Sequence, residues 1–173
     1  MRSDAARGDR FGTMKTLFLV RHAKASRDDP ALPDRERPLD ERGLHDAAKM
    51  GKRLAKHHVS PDLIVSSPAV RALKTAQLVA SEIGYPRKHI LVDDQLYAAR
   101  VADVLAVIHD TDAKIDRLML CGHNPEFSEL ASRLAGEPVE LSTCAVAAFV
   151  YDGKSWADVG VAKPGRFTLE QPK

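Results

Sequence analysis

The residues best suited to chemistry fall in three short stretches: Arg21-His22, Arg71 and His123. Each follows an apolar, strand-like run. Leu17-Phe18-Leu19-Val20 ends in Arg21-His22, Leu63-Ile64-Val65-Ser66 leads through Ser67-Pro68 to Arg71, and Leu118-Met119-Leu120-Cys121 ends in Gly122-His123. Continuous apolar runs suit strands buried on both faces, which belong to parallel sheets. Ligands of such sheets bind beyond the carboxyl ends of the strands, so parallel strands bring all three junctions to one edge. Two junctions feed helix starts, whose free N–H groups and positive dipole end favour anions. A phosphoryl group is the natural occupant, because guanidinium meets its oxygens as a bidentate fork. Arg21-His22 alone reads equally well as an ordinary strand end; Arg71 and His123 shift the balance.

Phosphoryl transfer asks mainly for positioning and for positive charge on the equatorial oxygens. No G-x-x-x-x-G-K-[ST] run is present, and arginines with a histidine can supply the charge instead. One histidine can then attack phosphorus as neutral imidazole, kept unprotonated by neighbouring cations, while the other donates to the phosphoryl oxygens. The expectation is a phosphohistidine intermediate with no metal and no cofactor.

The elements that must position these groups alternate between strand and helix. A strand over Lys15 to Val20 is followed by a long charged loop, 23–40, with Pro30, Pro33 and Pro38. Loops of this length are functional or disordered. A helix of about 15 residues after Asp40 has Leu44, Ala47, Ala48, Gly51, Leu54 and Ala55 on a narrow face. Ser67 and Asn124 have the chemistry of N-caps, and Pro68 and Pro125 suit first helical positions. Arg71 sits in a first turn, the unfavourable end for a cation, and a residue placed against local preference is a candidate for function. Glu126 reads as a favourable anion at its helix start. Cys144 to Tyr151 and Trp156 to Ala162 read as an antiparallel hairpin around Asp152-Gly153-Lys154. The fold class is α/β: three layers, with a mostly parallel central sheet flanked by helices and a C-terminal antiparallel hairpin.

At 173 residues, with 44% hydrophobic and 29% charged residues, the chain suits one soluble globular domain over 14–173. Residues 1–13 lack periodicity and read as a disordered extension or an expression remnant, with Met14 the expected start. A net charge of +2 argues against general nucleic-acid binding. Nothing approaches membrane-spanning length or a secretory signal, so no membrane partner and a cytoplasmic location are expected. Cys121 and Cys144 have no metal or disulfide spacing and read as buried thiols. His45, His57, His58, His89 and His109 lie away from the junctions and read as surface or packing residues.

Leu-Val-Arg-His-Ala, Ser-Ser-Pro-x-x-Arg-Ala-x-x-Thr-Ala and Gly-His-Asn-Pro, in this order over 17–125, resemble the histidine phosphatase superfamily, also called phosphoglycerate mutase-like. Arg-His-Ala-Lys, Arg37-Pro38-Leu39, Arg42-Gly43 and the short length are most similar to the SixA-type phosphohistidine phosphatases. The resemblance implies a phosphoglycerate mutase-like fold, His22 as the phosphorylated nucleophile, Arg21 and Arg71 gripping the phosphoryl oxygens, and His123 completing the pocket. It implies as substrate a phosphorylated protein of the histidine phosphotransfer type, or a small phosphorylated molecule. Many relatives carry a general-acid Glu two residues after a Leu that follows the third strand, where this chain has Leu96-Tyr97-Ala98. The missing carboxylate argues against mutase activity, and Asp28, Asp29 and Asp34 are the candidate replacement donors. A small-molecule phosphomonoesterase or sugar phosphatase, and a non-catalytic phospho-ligand binding domain, are the alternative expectations.

Overall fold

The computed structural model describes residues 14–153 and 155–172. Residues 1–13 and Lys154 of the expected turn lie outside them. Six strands form one sheet: β1 (Met14–Arg21), β2 (Leu63–Ser66), β3 (Leu91–Val92), β4 (Arg117–Gly122), β5 (Val146–Asp152) and β6 (Arg166–Glu170). Their order is β3-β2-β4-β1-β5-β6, with the first four parallel and β5 and β6 antiparallel. The helices are α1 (Glu41–Lys56), α2 (Val70–Ile83), α3 (Val101–His109) and α4 (Glu126–Ala135).

Strand β1 shows why a continuous apolar run belongs in the middle of this sheet. Leu17 and Leu19 face one core, with Val104, Ile108, Phe127 and Leu130 of α3 and α4. Phe18 and Val20 face the other, with Ala47, Leu54, Ala72 and Val79 of α1 and α2. Both faces are covered, which gives the three layers. Small residues let α1 and α2 approach closely: a Cβ on Gly51 would come within 2.9 Å of Glu82 Cβ and 3.1 Å of Val79 Cα. The buried face of α1 runs through Gly43, Ala47, Met50, Gly51 and Leu54, whereas Leu44 is 40% exposed.

Register delivers the expected convergence. Arg21 pairs with Gly122, and both Val20 and Ser66 pair with Cys121. The chain therefore leaves β1, β2 and β4 at the same sheet edge, bringing His22, Ser67 and His123 side by side.

Two local expectations are corrected. Helix α2 starts at Val70 and α4 at Glu126, each later than Pro68 or Pro125 at a first helical position would give. Ser67 Oγ still accepts from Ala69 N at 3.1 Å, and Asn124 Oδ1 from Ser128 N at 3.1 Å. The hairpin partner of β5 is Arg166–Glu170, not Trp156 to Ala162. Trp156 is pulled inward instead: it is 2% exposed, and its Nε1 donates to Ile115 O at 2.8 Å. Phe167 then takes the place beside β5, stacked on Phe149 at 5.0 Å.

Candidate active site

His22 stands directly after β1. Its N–H donates to Gly122 O, and its carbonyl accepts from Cys144 N, both at 3.0 Å. Its Nδ1 lies 2.7 Å from Ala23 O. A carbonyl only accepts, so Nδ1 carries the proton and Nε2 keeps its lone pair. Burial pushes the imidazole pKa down to about 4; the Ala23 bond opposes this, and Arg71, Arg21 and Arg37 add to it. The ring is thus neutral near pH 7, as a nucleophile requires. Thr75 explains part of the Arg-Ala-x-x-Thr spacing. One turn after Arg71, its Oγ1 donates to Arg71 O at 2.7 Å and accepts from Ala23 N at 3.0 Å, tying α2 to the end of β1.

The His123 ring lies 5.2 Å from that of His22. Its Nε2 is 2.8 Å from Ser67 Oγ. Ala69 N–H donates to Ser67 Oγ, and the hydroxyl can donate its own proton to Nε2, an arrangement that puts the ring proton on Nδ1. Nδ1 is buried and has no partner among the described residues. Burial, then the neighbouring His22 and Arg71, push the His123 pKa down to about 3, against the pull of Asp34.

Arg71, in the first turn of α2, is 7% exposed. Its Nη1 donates to Asp34 O at 2.7 Å and its Nη2 to Asp34 Oδ2 at 2.9 Å. Tyr97 O–H donates to the same Oδ2 at 2.8 Å. Burial raises the Asp34 pKa, but the bonds from Tyr97 and Arg71 and the charges of Arg71 and Arg37 outweigh it and hold the carboxyl below its usual range.

The 23–40 loop is ordered by its own backbone. Ser26 N donates to Pro38 O at 2.8 Å, and Asp40 N to Lys24 O at 3.0 Å. This folds the loop back so that its short turn, Asp34–Glu36, reaches Arg71.

Placement of the expected residues is uneven. His22, Asp34, Arg71 and His123 line one cavity of about 410 Å³, with Tyr97, Ala98 and Glu126. Arg21 lines the adjoining hollow with Glu129 and Glu140; the two hollows share Asn124 and Pro125. Its Nη1 donates to Leu141 O at 2.8 Å, yet its charge still acts on both histidines. Asp28 and Asp29 are exposed and outside the cavity, and Asp29 Oδ1 accepts from Ala31 N. Cys121 is fully buried, with its thiol pKa raised by desolvation. Sequence reasoning did not single out Tyr97 or Glu126 as cavity residues. Tyr97 stands beside Ala98, where the carboxylate of many relatives is missing, and that adjacency was its one available signal. The acidic side chain of Glu126 looked fully explained by the helix dipole.

A family model for the histidine phosphatase superfamily (branch 1) matches residues 17–98. A chloroplastic protein of Arabidopsis thaliana, itself uncharacterised, is 31% identical over 97% of this chain and 81% of its own length. The chain belongs to the histidine phosphatase superfamily. Among solved structures it is similar to a candidate phosphohistidine phosphatase SixA from Agrobacterium tumefaciens, with a TM-score of 0.72 and 30% identity over 78% of this chain and 90% of that one. The protein histidine phosphatase SixA complexed with tungstate shares the fold, with a TM-score of 0.73 at 24% identity over 90% and 94% of the two chains. The chain is accordingly a phosphatase with the phosphoglycerate mutase-like architecture. Among the described residues, no helix is long and apolar enough to cross a membrane.

Proposed function

We propose that this phosphatase removes the phosphoryl group from phosphohistidine in a protein, through a phosphorylated His22. The observation that carries the substrate assignment is the 30% identity to the Agrobacterium SixA across nine-tenths of that chain. The chemistry follows from the site. Arg71 keeps one N–H on each Nη, and its Nε, beyond the two bonds to Asp34, and offers them to the phosphoryl oxygens. His123 Nδ1–H and the charge of Arg21 add to this grip. The Nε2 lone pair of His22 attacks phosphorus, and the phosphorus–nitrogen bond of the substrate breaks with its electron pair going to the leaving nitrogen. Positive charge developing on His22 is stabilised through Nδ1–H and the Ala23 carbonyl. Water then attacks the phosphorus, the bond to Nε2 breaks, and inorganic phosphate leaves.

A labile phosphorus–nitrogen bond fits a site with Ala98 where many relatives carry a general-acid Glu. The test is a substrate panel: a phosphohistidine phosphotransfer protein, phosphoserine peptides and small alkyl phosphates. Turnover is expected to be fastest on phosphohistidine, with a trapped phosphoenzyme that disappears in His22→Ala. Faster turnover of a simple alkyl phosphate overturns the substrate assignment in favour of a small-molecule phosphomonoesterase. A wild-type chain that binds phosphate without forming a phosphoenzyme or turning over any substrate overturns catalysis itself.

A further inference from the structure

Glu126, the first residue of α4, is only 6% exposed. A glutamate can answer a helix dipole from an exposed position, so the dipole does not by itself call for burial. Here Glu126 lines the cavity that also holds His22, Arg71, Tyr97 and His123. Its Oε2 is buried without a hydrogen-bond partner among the described residues, and Glu126 joins none of their ion pairs. A buried carboxylate without a cation is costly, and the usual relief is to bind a proton. Burial indeed raises the Glu126 pKa; Glu129 adds to this, and the backbone N–H of Glu126 opposes it.

The other carboxyl on this cavity is engaged differently. Asp34 is held ionised by Arg71 and Tyr97 and has no proton to give. Ala98, with φ of 52°, turns the chain where many relatives carry a carboxyl. Glu126 is therefore the carboxyl on this cavity with an oxygen left unengaged, and its raised pKa favours the protonated form.

We propose that Glu126 is a further catalytic residue, giving its proton to the leaving group and taking one back from water in the second step. The inference rests on His22 being the nucleophile. As Nε2 attacks phosphorus, the leaving nitrogen or oxygen takes the electron pair of its broken bond together with the Glu126 proton. The resulting carboxylate removes a proton from the attacking water, phosphate departs from Nε2, and Glu126 is again protonated.

The test compares phenyl phosphate, a poor leaving group, with p-nitrophenyl phosphate, a good one, so it does not depend on phosphohistidine being the substrate. Glu126→Gln is expected to lower kcat/KM for phenyl phosphate roughly 100-fold, within the range for general acid catalysis, and for p-nitrophenyl phosphate less than about threefold. It should also remove the fall of kcat/KM on the basic side and make the phosphoenzyme accumulate. Glu126→Asp, which keeps a carboxyl, should restore part of the difference between the two esters. Equal losses on both esters, or no loss on either, overturn the proposal, and an unchanged melting temperature separates chemistry from folding. A phosphoenzyme that forms and turns over normally in Glu126→Gln removes Glu126 alone, whereas its absence in the wild type removes the His22 reading and this inference with it.

Discussion

Asp34 and Arg71 are joined twice: carbonyl to Nη1 at 2.7 Å and carboxylate to Nη2 at 2.9 Å. The pair fixes two N–H groups of the guanidinium, and it also places a negative charge beside the proposed phosphoryl site. A like charge several ångströms away costs on the order of 1 kcal/mol in a partly solvated site. Asp34→Asn keeps the carbonyl bond and removes that charge. Inorganic phosphate should then inhibit with a Ki lower by roughly fivefold, as read in competitive inhibition assays. Weaker inhibition would mean that Asp34 matters more for aiming Arg71 than for its charge.

The two histidines make a pH prediction whose direction follows from linkage. Folding lowers the pKa of His22 to about 4 and of His123 to about 3, against about 6.5 in an unfolded chain. Below that unfolded value the unfolded state binds protons that the folded state refuses, so stability falls with decreasing pH until the folded pKa values are reached. Each histidine contributes up to about 1.4 kcal/mol per pH unit in this window. Urea midpoints should therefore drop between about pH 6.5 and about pH 4, and less steeply in His123→Asn. Nitrogen NMR should show His22 neutral at about pH 5.5 with its proton on Nδ1. An imidazolium signal there would remove the basis for nucleophilic attack.

The apolar runs of β1, β2 and β4 were legible because both sheet faces are buried, and parallel pairing then brought the strand ends before His22 and His123 to one edge. What stayed hidden depended on contacts distant in sequence. Trp156 sits in a pattern that reads as strand, but its indole finds Ile115 O, 41 residues earlier. Ser67 was readable as a cap, but not as the partner of His123, 56 positions away. Glu126 had a sufficient local explanation in the helix dipole, and only its burial exposes a second role. Asp28, Asp29 and Asp34 were indistinguishable by type, until the fold-back of the loop carried Asp34 to Arg71 and left the other two in solvent.

Ser67→Ala should weaken both the fold and the chemistry. The hydroxyl meets Ala69 N–H at 3.1 Å and His123 Nε2 at 2.8 Å. Leaving buried polar groups unpaired costs about 1–3 kcal/mol, which thermal or urea unfolding would register. With Nε2 no longer paired, the His123 proton is free to move from Nδ1, so phosphoryl binding should also loosen. A raised KM is the expected kinetic sign, and an unchanged KM would place the His123 contribution elsewhere.

Gly43→Ala tests how tightly the 23–40 loop is seated. Alanine in a helix is ordinarily better than glycine by about 1 kcal/mol, so propensity alone predicts a gain. At this position a Cβ would lie 2.1 Å from Lys24 O and 3.0 Å from Lys24 C and N. All three are backbone atoms with little room to yield, because Asp40 N holds the same carbonyl at 3.0 Å and Gly43 N is held by Asp40 Oδ1 at 2.8 Å. Overpacking against backbone costs about 1–3 kcal/mol, so the clash should outweigh the propensity gain and the variant should be less stable in urea. Lys24 follows His22 by two residues, so relief of the clash shifts the segment that carries the Ala23 carbonyl, and kcat/KM should fall as well. A stabilised, fully active Gly43→Ala would show that helix and loop can part without disturbing the nucleophile.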